Sequence, residues 1–486
     1  MKYTNRYRPL HRLAAAAFLL AGASAPVFAA HPGDPDGDFG LGGYVTSDFF
    51  GSDEQVYALA AMRDERFVAV GKVTGANAEG PGGSENVAVA RYLPDGSLDA
   101  SFGSGGLFQL DIDGTSDEAR AVRVMPDKGL LVGGSLSTDA HGDFGLVKLR
   151  ANGTLDTTFG EPDAGSARKG YVRLDIGGPT IHDNAYAMAT QRDGRIVLAG
   201  VTRVLHDNGF YYAHVAVARF TTQGVLDTSF GSGAGYVVLP TFLGDNADVL
   251  TGIALDQAGN LGADDRIVLV GYTFARNNAF IARLNANGSV DTGFGTGGQV
   301  LLQAGSSGGV QTGMSILAAA RLDARGRIVA LGEGNDRGLT LMRFNANGSL
   351  DTTFGTAGRT TVKYSGISDY DEPGALALQG NGKIVAAGYA TNRTGTSPNS
   401  DFFVVRLLAD GTPDPGYGDG QGRVVASFTN QNDGAFALAI EPSGNALAGG
   451  FQQRQGANGR DYALLRLIGD PDRIFAYGQE VPGTFD

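Results

Sequence analysis

The chain has 486 residues, a formal net charge of −13 and no cysteine. The absence of cysteine excludes disulfide bonds, thiolate metal sites, thiol catalysis and a lipid anchor on an N-terminal cysteine. The acidic balance argues against binding of nucleic acid, and the 76 glycines are typical of a chain with many tight turns.

The N-terminus has the pattern of an export signal over residues 1–29. A basic segment precedes a short apolar run, and Val27-Phe28-Ala29 offers a cleavage site. The apolar run is shorter than the roughly 20 residues that a bilayer requires, so no membrane insertion is expected, although an uncleaved anchor is the alternative. We therefore expect an exported protein located in the periplasm, at the cell surface or in the extracellular medium.

An aromatic residue followed by glycine, usually within F-G-x-G-G, recurs seven times and defines an internal repeat. The repeat aromatic residues are Phe39, Phe102, Phe159, Phe230, Phe294, Phe354 and Tyr417. The repeat aspartates, three residues earlier, are Asp36, Asp99, Asp156, Asp227, Asp291, Asp351 and Asp414. The repeat basic residues, each predicted to end a strand, are Arg91, Lys148, Arg219, Arg283, Arg343, Arg406 and Arg466. The repeat glycines, each predicted to end another strand, are Gly71, Gly134, Gly200, Gly271, Gly332, Gly388 and Gly450.

Each copy contains four short runs rich in Val, Ile, Ala and Leu, bounded by Gly, Asp and Asn turns. In the first copy these runs are 44–49, 56–62, 67–73 and 87–93. Several runs are apolar on both faces, as in sheets that are packed between two neighbours. The pattern predicts an all-β protein, a seven-bladed β-propeller of four-stranded blades over residues 30–470, with a C-terminal tail at 471–486. A β-solenoid is the alternative fold.

Segments 91–106, 283–298 and 343–358 (RYLPDGSLDASFGSGG, RLNANGSVDTGFGTGG and RFNANGSLDTTFGTAG) carry the most regular form of the motif. With QRDGRIVLAG (191–200) and QGNGKIVAAG (379–388), they resemble the delta-60 repeat family of exported bacterial proteins. The resemblance covers about residues 36 to 470 and implies a β-propeller, but no activity. The terminal copies depart from the pattern most, because PDGDFGLGG lacks the full lead-in and Tyr417 replaces Phe.

Loop lengths vary on one side of the repeat only. The loops before the second and fourth runs of each copy (56–62 and 87–93 in the first) differ in length between copies, whereas the repeat aromatic residue always lies 11 positions after each of the first six basic residues. Consecutive connections of antiparallel strands fall on opposite faces, so the varying loops share a variable face and the others share a constant face. This holds whether the strand after F-G-x-G-G is innermost in its own blade or outermost in the preceding one. Variable loops on a constant scaffold are typical of binding surfaces, and functionless drift is the alternative.

One position of the variable face is acidic in six of the seven copies. These ring acids are Glu54, Asp117, Asp183, Asp248, Asp371 and Asp433, with Ser315 in the fifth copy. If the strand that follows each is innermost, the six carboxylates ring the mouth of the channel and predict a site for Ca²⁺ or a cationic ligand. The alternative is that each caps backbone N–H groups of its own turn.

Histidines concentrate in or beside the variable loops of the second and third copies. His182, His206 and His214 lie close in sequence to Tyr211 and Tyr212. These five residues predict a binding site for a metal ion or a sugar, although their spacing matches no known metal motif. Solvated loop residues are the alternative.

Three classes of function remain open from the sequence. The leading hypothesis is a binding or interaction scaffold, expected to be a monomer, that contacts a protein or a glycan through the variable face. A hydrolase or lyase with a metal in the acidic ring is the second, and a purely structural cell-surface component is the third. No cofactor other than Ca²⁺ is suggested, no nucleic acid partner is expected, and catalysis is left open with a binding role favoured.

Overall fold

A computed structural model describes most of the chain after residue 29. The described residues are 30–49, 53–74, 84–112, 115–137, 141–163, 167–240, 248–256, 265–273, 278–303, 314–334, 336–364, 371–392, 399–454 and 459–470. The predicted signal peptide (1–29) and C-terminal tail (471–486) lie outside these residues. Within them, no helix is long and apolar enough to cross a membrane.

The described residues contain twenty-eight strands, which form seven antiparallel sheets of four strands each, the blades of a propeller. Blade 1 contains β2 (Glu54–Ala61), β3 (Phe67–Thr74), β4 (Glu85–Tyr92) and β5 (Leu107–Leu110). Blade 2 contains β6 (Glu118–Val124), β7 (Leu130–Ser137), β8 (Gly142–Leu149) and β9 (Tyr171–Leu174). Blade 3 contains β10 (Asn184–Thr190), β11 (Ile196–Leu205), β12 (Tyr211–Phe220) and β13 (Tyr236–Val238). A single turn of 3-10 helix, Gly231–Gly233, precedes β13.

The remaining four blades repeat the same order. Blade 4 contains β14 (Asp248–Asp256), β15 (Arg266–Thr273), β16 (Asn278–Leu284) and β17 (Gln299–Gln303). Blade 5 contains β18 (Met314–Leu322), β19 (Ile328–Gly334), β20 (Leu339–Phe344) and β21 (Arg359–Val362). Blade 6 contains β22 (Asp371–Leu378), β23 (Ile384–Asn392), β24 (Asn399–Leu407) and β25 (Arg423–Ala426). Blade 7 contains β26 (Asp433–Ile440), β27 (Ala446–Gln453), β28 (Arg460–Leu467) and β1 (Tyr44–Ser47).

The predicted seven-bladed propeller is therefore confirmed, and the solenoid alternative is wrong. The strand after each F-G-x-G-G motif is the outermost strand of the preceding blade, which was one of the two assignments left open. For this reason the N-terminal strand β1 completes blade 7, where Tyr44 pairs with Leu465 and Ser47 with Tyr462. The first strand of every blade is innermost, and these strands contact one another around the central axis.

Apolar clusters fill the interfaces between neighbouring blades. One cluster joins Val268 and Ile281 of blade 4 to Leu317 and Ala330 of blade 5, and equivalent clusters recur around the ring. Each blade is thus packed against a neighbour on both of its faces, which explains why the predicted strands have no polar face.

The repeat arginines join the blades on the constant face. In blade 5, Arg343 Nε donates to Asp351 Oδ2 at 2.7 Å, and the guanidinium lies 4.7 Å from the centre of the Phe354 ring. Its Nη1 donates to the carbonyl of Ala409 in blade 6 at 2.6 Å. All seven basic residues pair with a repeat aspartate at 2.7–3.0 Å.

The repeat glycines lie inside the second strands rather than at their ends, which corrects the sequence interpretation. β11, for example, continues beyond Gly200 to Leu205. Opposite this glycine the first strand contains a β-bulge between Ala185 and Ala187, and the same irregularity occurs in all seven blades. A Cβ atom at residue 200 would lie 1.9 Å from the carbonyl oxygen of Asn184, so only glycine fits opposite the bulge.

Candidate functional site

The seven first strands enclose a central channel with a volume of about 1080 Å³. Its lining extends from the bulges near the variable face to turn residues such as Asp323 and Asp410 on the constant face. Ligand pockets typically have volumes of about 300–1,000 Å³, so the channel is large enough to receive part of a ligand.

The residue inside each bulge contributes to the wall of the channel near the variable face. The seven bulged residues, which we call the mouth ring, are Tyr57, Arg120, Tyr186, Thr251, Ala318, Gly374 and Phe436. The ring is asymmetric, because blades 7, 1, 2 and 3 supply large side chains and blades 4, 5 and 6 supply small ones. The mouth is therefore crowded on one side and open on the other.

Arg120 lies between two tyrosines on the crowded side. Its guanidinium carbon is 3.7 Å from the ring centre of Tyr57 and 5.9 Å from that of Tyr186, distances at which a cation is attracted to an aromatic face. Its Nη2 pairs with Glu118 Oε2 at 2.7 Å. Although burial opposes the charge, Glu118 raises the pKa of the Arg120 guanidinium. The group combines aromatic faces with a fixed ion pair.

A second aromatic group continues the mouth ring in blades 6 and 7. The ring of Phe436 stacks on Phe451 with centroids 5.8 Å apart, and Tyr389 approaches Phe436 edge-on at 6.2 Å. Arg460 lies 5.3 Å from the centre of the Phe451 ring and pairs with Asp53 at 2.7 Å. The variable side of the channel thus carries aromatic rings interleaved with paired charges.

The ring acids are buried side chains at the starts of the innermost strands, and none of them lines the channel. Asp117 accepts hydrogen bonds from the backbone N–H groups of Ile112 and Ser137 at 2.7 and 2.8 Å, and Asp433 accepts from Phe428 at 2.8 Å. Five of the six show such bonds to the connection from the preceding blade or to the neighbouring strand; these are Glu54, Asp117, Asp183, Asp371 and Asp433. This is the capping arrangement given above as the alternative to a metal site.

Burial raises the pKa of three of these capped carboxyl groups, those of Asp117, Asp183 and Asp433. The pKa of Asp117 and of Asp433 rises to about 6, although hydrogen bonds from backbone N–H groups oppose the shift. The pKa of Asp183 is raised for the same reason.

Two ring acids belong to groups of three carboxylates, and the two groups occupy equivalent places in the repeat. One carboxylate of each group directly follows the outermost strand of a blade, and another is the second residue of the third strand of that blade. The third carboxylate is the ring acid that comes next along the chain. In each group, one oxygen from every residue lies within 4.8 Å of the others; the groups are Asp48, Glu54 and Asp461, and Asp143, Asp175 and Asp183.

A guanidinium group lies beside each group of carboxylates. Arg454 pairs with Asp48 at 3.2 Å and with Asp461. Arg173 pairs with Asp143 at 3.0 Å. A cation from the protein is therefore present where Ca²⁺ would require 6–8 oxygen ligands, and calcium binding stays a prediction.

The structure divides the predicted histidine site into two parts. His206 and His214, on the β11–β12 hairpin, are 2.8 Å apart between their Nε2 atoms, and the Tyr212 ring lies 4.7 Å from that of His206. Tyr211 is 52% exposed near the hairpin tip. His182 instead lies in the connection between blades 2 and 3, where its ring centroid is 4.8 Å from that of His141.

Sequence reasoning missed the mouth ring. Every mouth-ring residue lies three positions after a ring acid or its serine counterpart, so aligning the copies on that position would have found it. The ring has no common residue type, and a search for repeated residues passes over it.

Comparisons with known proteins agree with this fold. Six segments match the family model described as "Domain of unknown function (DUF5122) beta-propeller": residues 68–102, 125–159, 191–230, 262–294, 326–354 and 379–417. No curated protein sequence matches the chain.

Solved structures are similar to this chain at low sequence identity. Sqt1 from Chaetomium thermophilum shares 12% identity with a TM-score of 0.40, covering 88% of this chain and 98% of that one. The polysaccharide lyase Uly1 shares 12% identity with a TM-score of 0.43, covering 87% and 91%. The NanB sialidase from Streptococcus pneumoniae shares 10% identity with a TM-score of 0.36, covering 87% and 70%. No function is transferred from these similarities. The repeated sequence matches and the seven four-stranded blades together show that the chain belongs to a family of β-propeller repeat proteins.

Proposed function

We propose that the protein is an exported, glycan-binding β-propeller whose ligand binds on the variable face, at the mouth of the central channel. The asymmetry of the mouth ring carries this proposal. Positions that build the blades keep their residue type, as the repeat Asp and Gly do in all seven copies. The mouth position carries Tyr, Arg, Thr, Ala, Gly or Phe, so the packing of the blade does not dictate it.

The chemistry of the mouth suits a sugar. A sugar ring has apolar C–H faces and hydroxyl groups at its edge, and it therefore needs aromatic surface and hydrogen-bonding groups together. Tyr186 and Phe436 supply aromatic surface on the crowded side, and the ion pairs of Arg120 and Arg460 supply fixed polar groups. The small residues of blades 4 to 6 leave the space that a ligand would enter.

The β11–β12 hairpin adds a projecting wall to the same face. Its strands are ten residues long, and its tip exposes Leu205, Phe210 and Tyr211 at 57%, 67% and 52%. Exposed apolar groups beside a cleft mark interaction surfaces. The hairpin is therefore a second contact for a ligand long enough to extend beyond the channel mouth.

A glycan-binding screen followed by titration tests the proposal. We expect Tyr186→Ala and Phe436→Ala each to weaken the binding of any captured glycan by roughly tenfold, because each removes aromatic contact area. Leu41→Ala is the matched control, since Leu41 is 88% exposed on the constant face. Equal affinity of all three variants and the wild type would refute a site at the mouth.

A further inference from the structure

A second ring of channel residues lies deeper than the mouth ring. Three residues after each mouth residue, every first strand contributes another residue to the channel wall, about 10 Å farther along at strand spacing. Five copies carry alanine at this position: Ala60, Ala189, Ala254, Ala377 and Ala439. The second and fifth copies carry Arg123 and Arg321 instead, and we call the seven residues the waist ring.

Arg321 has no acidic partner among the described residues. Its one hydrogen bond runs from Nη1 to the carbonyl of Ala320 at 2.9 Å. The side chain is exposed to the space within the channel, and the surrounding protein lowers the pKa of its guanidinium. Five copies carry alanine at this position, so the packing of the blade does not require an arginine there.

The acidic residues that line the described channel lie at its constant-face end. They are Asp256, Asp323 and Asp410. Asp256 pairs with Arg266, and Asp323 pairs with Arg327 at 2.7 Å, so both are already neutralised. Between the mouth and waist rings the described lining of the channel therefore contains no carboxylate that faces Arg321, within a chain of net charge −13.

We infer that Arg321 is the centre of an oxyanion site in the channel, which holds a carboxylate or sulfate group of an acidic glycan whose sugar rings occupy the mouth. Guanidinium groups suit this role because they donate two parallel hydrogen bonds to the oxygens of a carboxylate or of a tetrahedral oxyanion. The inference rests on the proposed function, of which it specifies the ligand class.

Calorimetric titration of the protein with tetragalacturonate, sodium sulfate and neutral cellotetraose tests the inference. We expect tetragalacturonate to bind more tightly than cellotetraose, and Arg321→Ala to weaken its binding by roughly tenfold or more. The affinity should also fall as ionic strength rises. Arg321→Ala introduces the residue that five copies already carry, so it should fold, and its melting temperature checks this.

Lys128→Ala is the matched control, because it removes one positive charge from an exposed site on the constant face. It should leave the affinity for tetragalacturonate unchanged. Sulfate binding that depends on Arg321, without binding of tetragalacturonate, would overturn the assignment to an acidic glycan. Equal binding by wild type and Arg321→Ala, or binding of neither anion, would overturn the oxyanion site. Retained binding of a neutral glycan that depends on Tyr186 would in those cases leave the proposed function intact.

Discussion

Aspartates from the two repeated sets of acidic residues have opposite acid–base properties, as Asp351 and Asp117 show. Burial works to raise the pKa of the repeat aspartate Asp351, but hydrogen bonds from Thr353 and Arg343 lower it to about 2. The ring acid Asp117 is capped by neutral backbone groups only, and burial raises its pKa to about 6. The partner of each carboxyl group thus decides whether its charged form stabilises the fold.

The two sets should therefore differ in how they affect stability with pH. Asp117 stabilises the fold fully below its unfolded pKa near 4, and this contribution is lost as the pH rises through about 6. We expect the loss of unfolding free energy in Asp117→Asn to be larger at about pH 4.5 than at about pH 7.5, by about 2 kcal/mol.

Asp351 behaves in the opposite sense, because its contribution is present above pH 4 and is lost as the pH falls towards 2. Asp351→Asn should lower the free energy of unfolding by the same amount at pH 4.5 and pH 7.5, and by a smaller amount near pH 2.5. Urea unfolding of both variants at the three pH values measures these differences. The same pH profile for both would contradict the roles assigned to them.

Calcium provides a second test at the residue scale. If the ring acids act only as caps, the melting temperature should be the same in EDTA and in a Ca²⁺ series. A saturable rise in melting temperature that is lost in Asp183→Asn would instead assign a metal site beside Asp143 and Asp175. At 100 times the dissociation constant, the stabilisation should be about 2.7 kcal/mol.

The β-bulge is the element that links the repeat to the site. Because the bulge shifts the first strand by one residue, it directs an extra side chain to the channel wall and brings a carbonyl against the facing strand. The repeat glycine accommodates the carbonyl, while the bulged residue is free to vary. The same irregularity thus accounts for one position that is glycine in all seven copies and for another that carries six different residue types.

Gly200→Ala should be strongly destabilising for this reason. The new Cβ would lie 1.9 Å from the carbonyl oxygen of Asn184, and we expect a loss of about 3 kcal/mol or more in urea unfolding. Gly380→Ala is the control, because no atom lies within 4 Å of its added Cβ, and it should change stability by less than about 1 kcal/mol. Similar effects of the two substitutions would disprove the packing argument.

At the scale of the whole molecule, one non-covalent junction closes the ring. β1 pairs with β28, and Asp36 pairs with Arg466 at 2.9 Å. The other six pairs of this kind join residues that are close in sequence, whereas this pair joins the two ends of the propeller. If this junction opens, blades 1 to 6 stay intact, because each of them is built from four consecutive strands.

Limited proteolysis should reveal this difference between equivalent pairs. Asp36→Ala removes the ion pair with Arg466, and Asp351→Ala removes the ion pairs with Arg343 and Arg327, so both should lower the melting temperature. Only Asp36→Ala should increase cleavage within residues 30–47 under native conditions, since it loosens the closing strand. Equal protection of that segment in both variants would show that the junction does not depend on Asp36.

Much of the propeller could be predicted because its structural residues are repeated. Seven copies of the Arg–Asp–Phe group and of the glycine indicate seven blades, and the constant 11-residue spacing indicates their pairing. The channel residues could not be found in this way. Arg321 and Tyr186 are departures from the repeat, and the bulge that turns Tyr186 to the channel depends on backbone register rather than on residue type. The ring acids were found, but their burial depends on connections that the sequence does not show.

Hydroxyl-radical footprinting of the protein with and without a captured glycan tests the central claim most directly. The account predicts protection of Tyr57, Tyr186 and Phe436 at the mouth, with no change at Leu41 and Val290, which are exposed on the constant face. Protection of Leu41 or Val290 with the mouth residues unchanged would place the ligand on the opposite face and contradict the account.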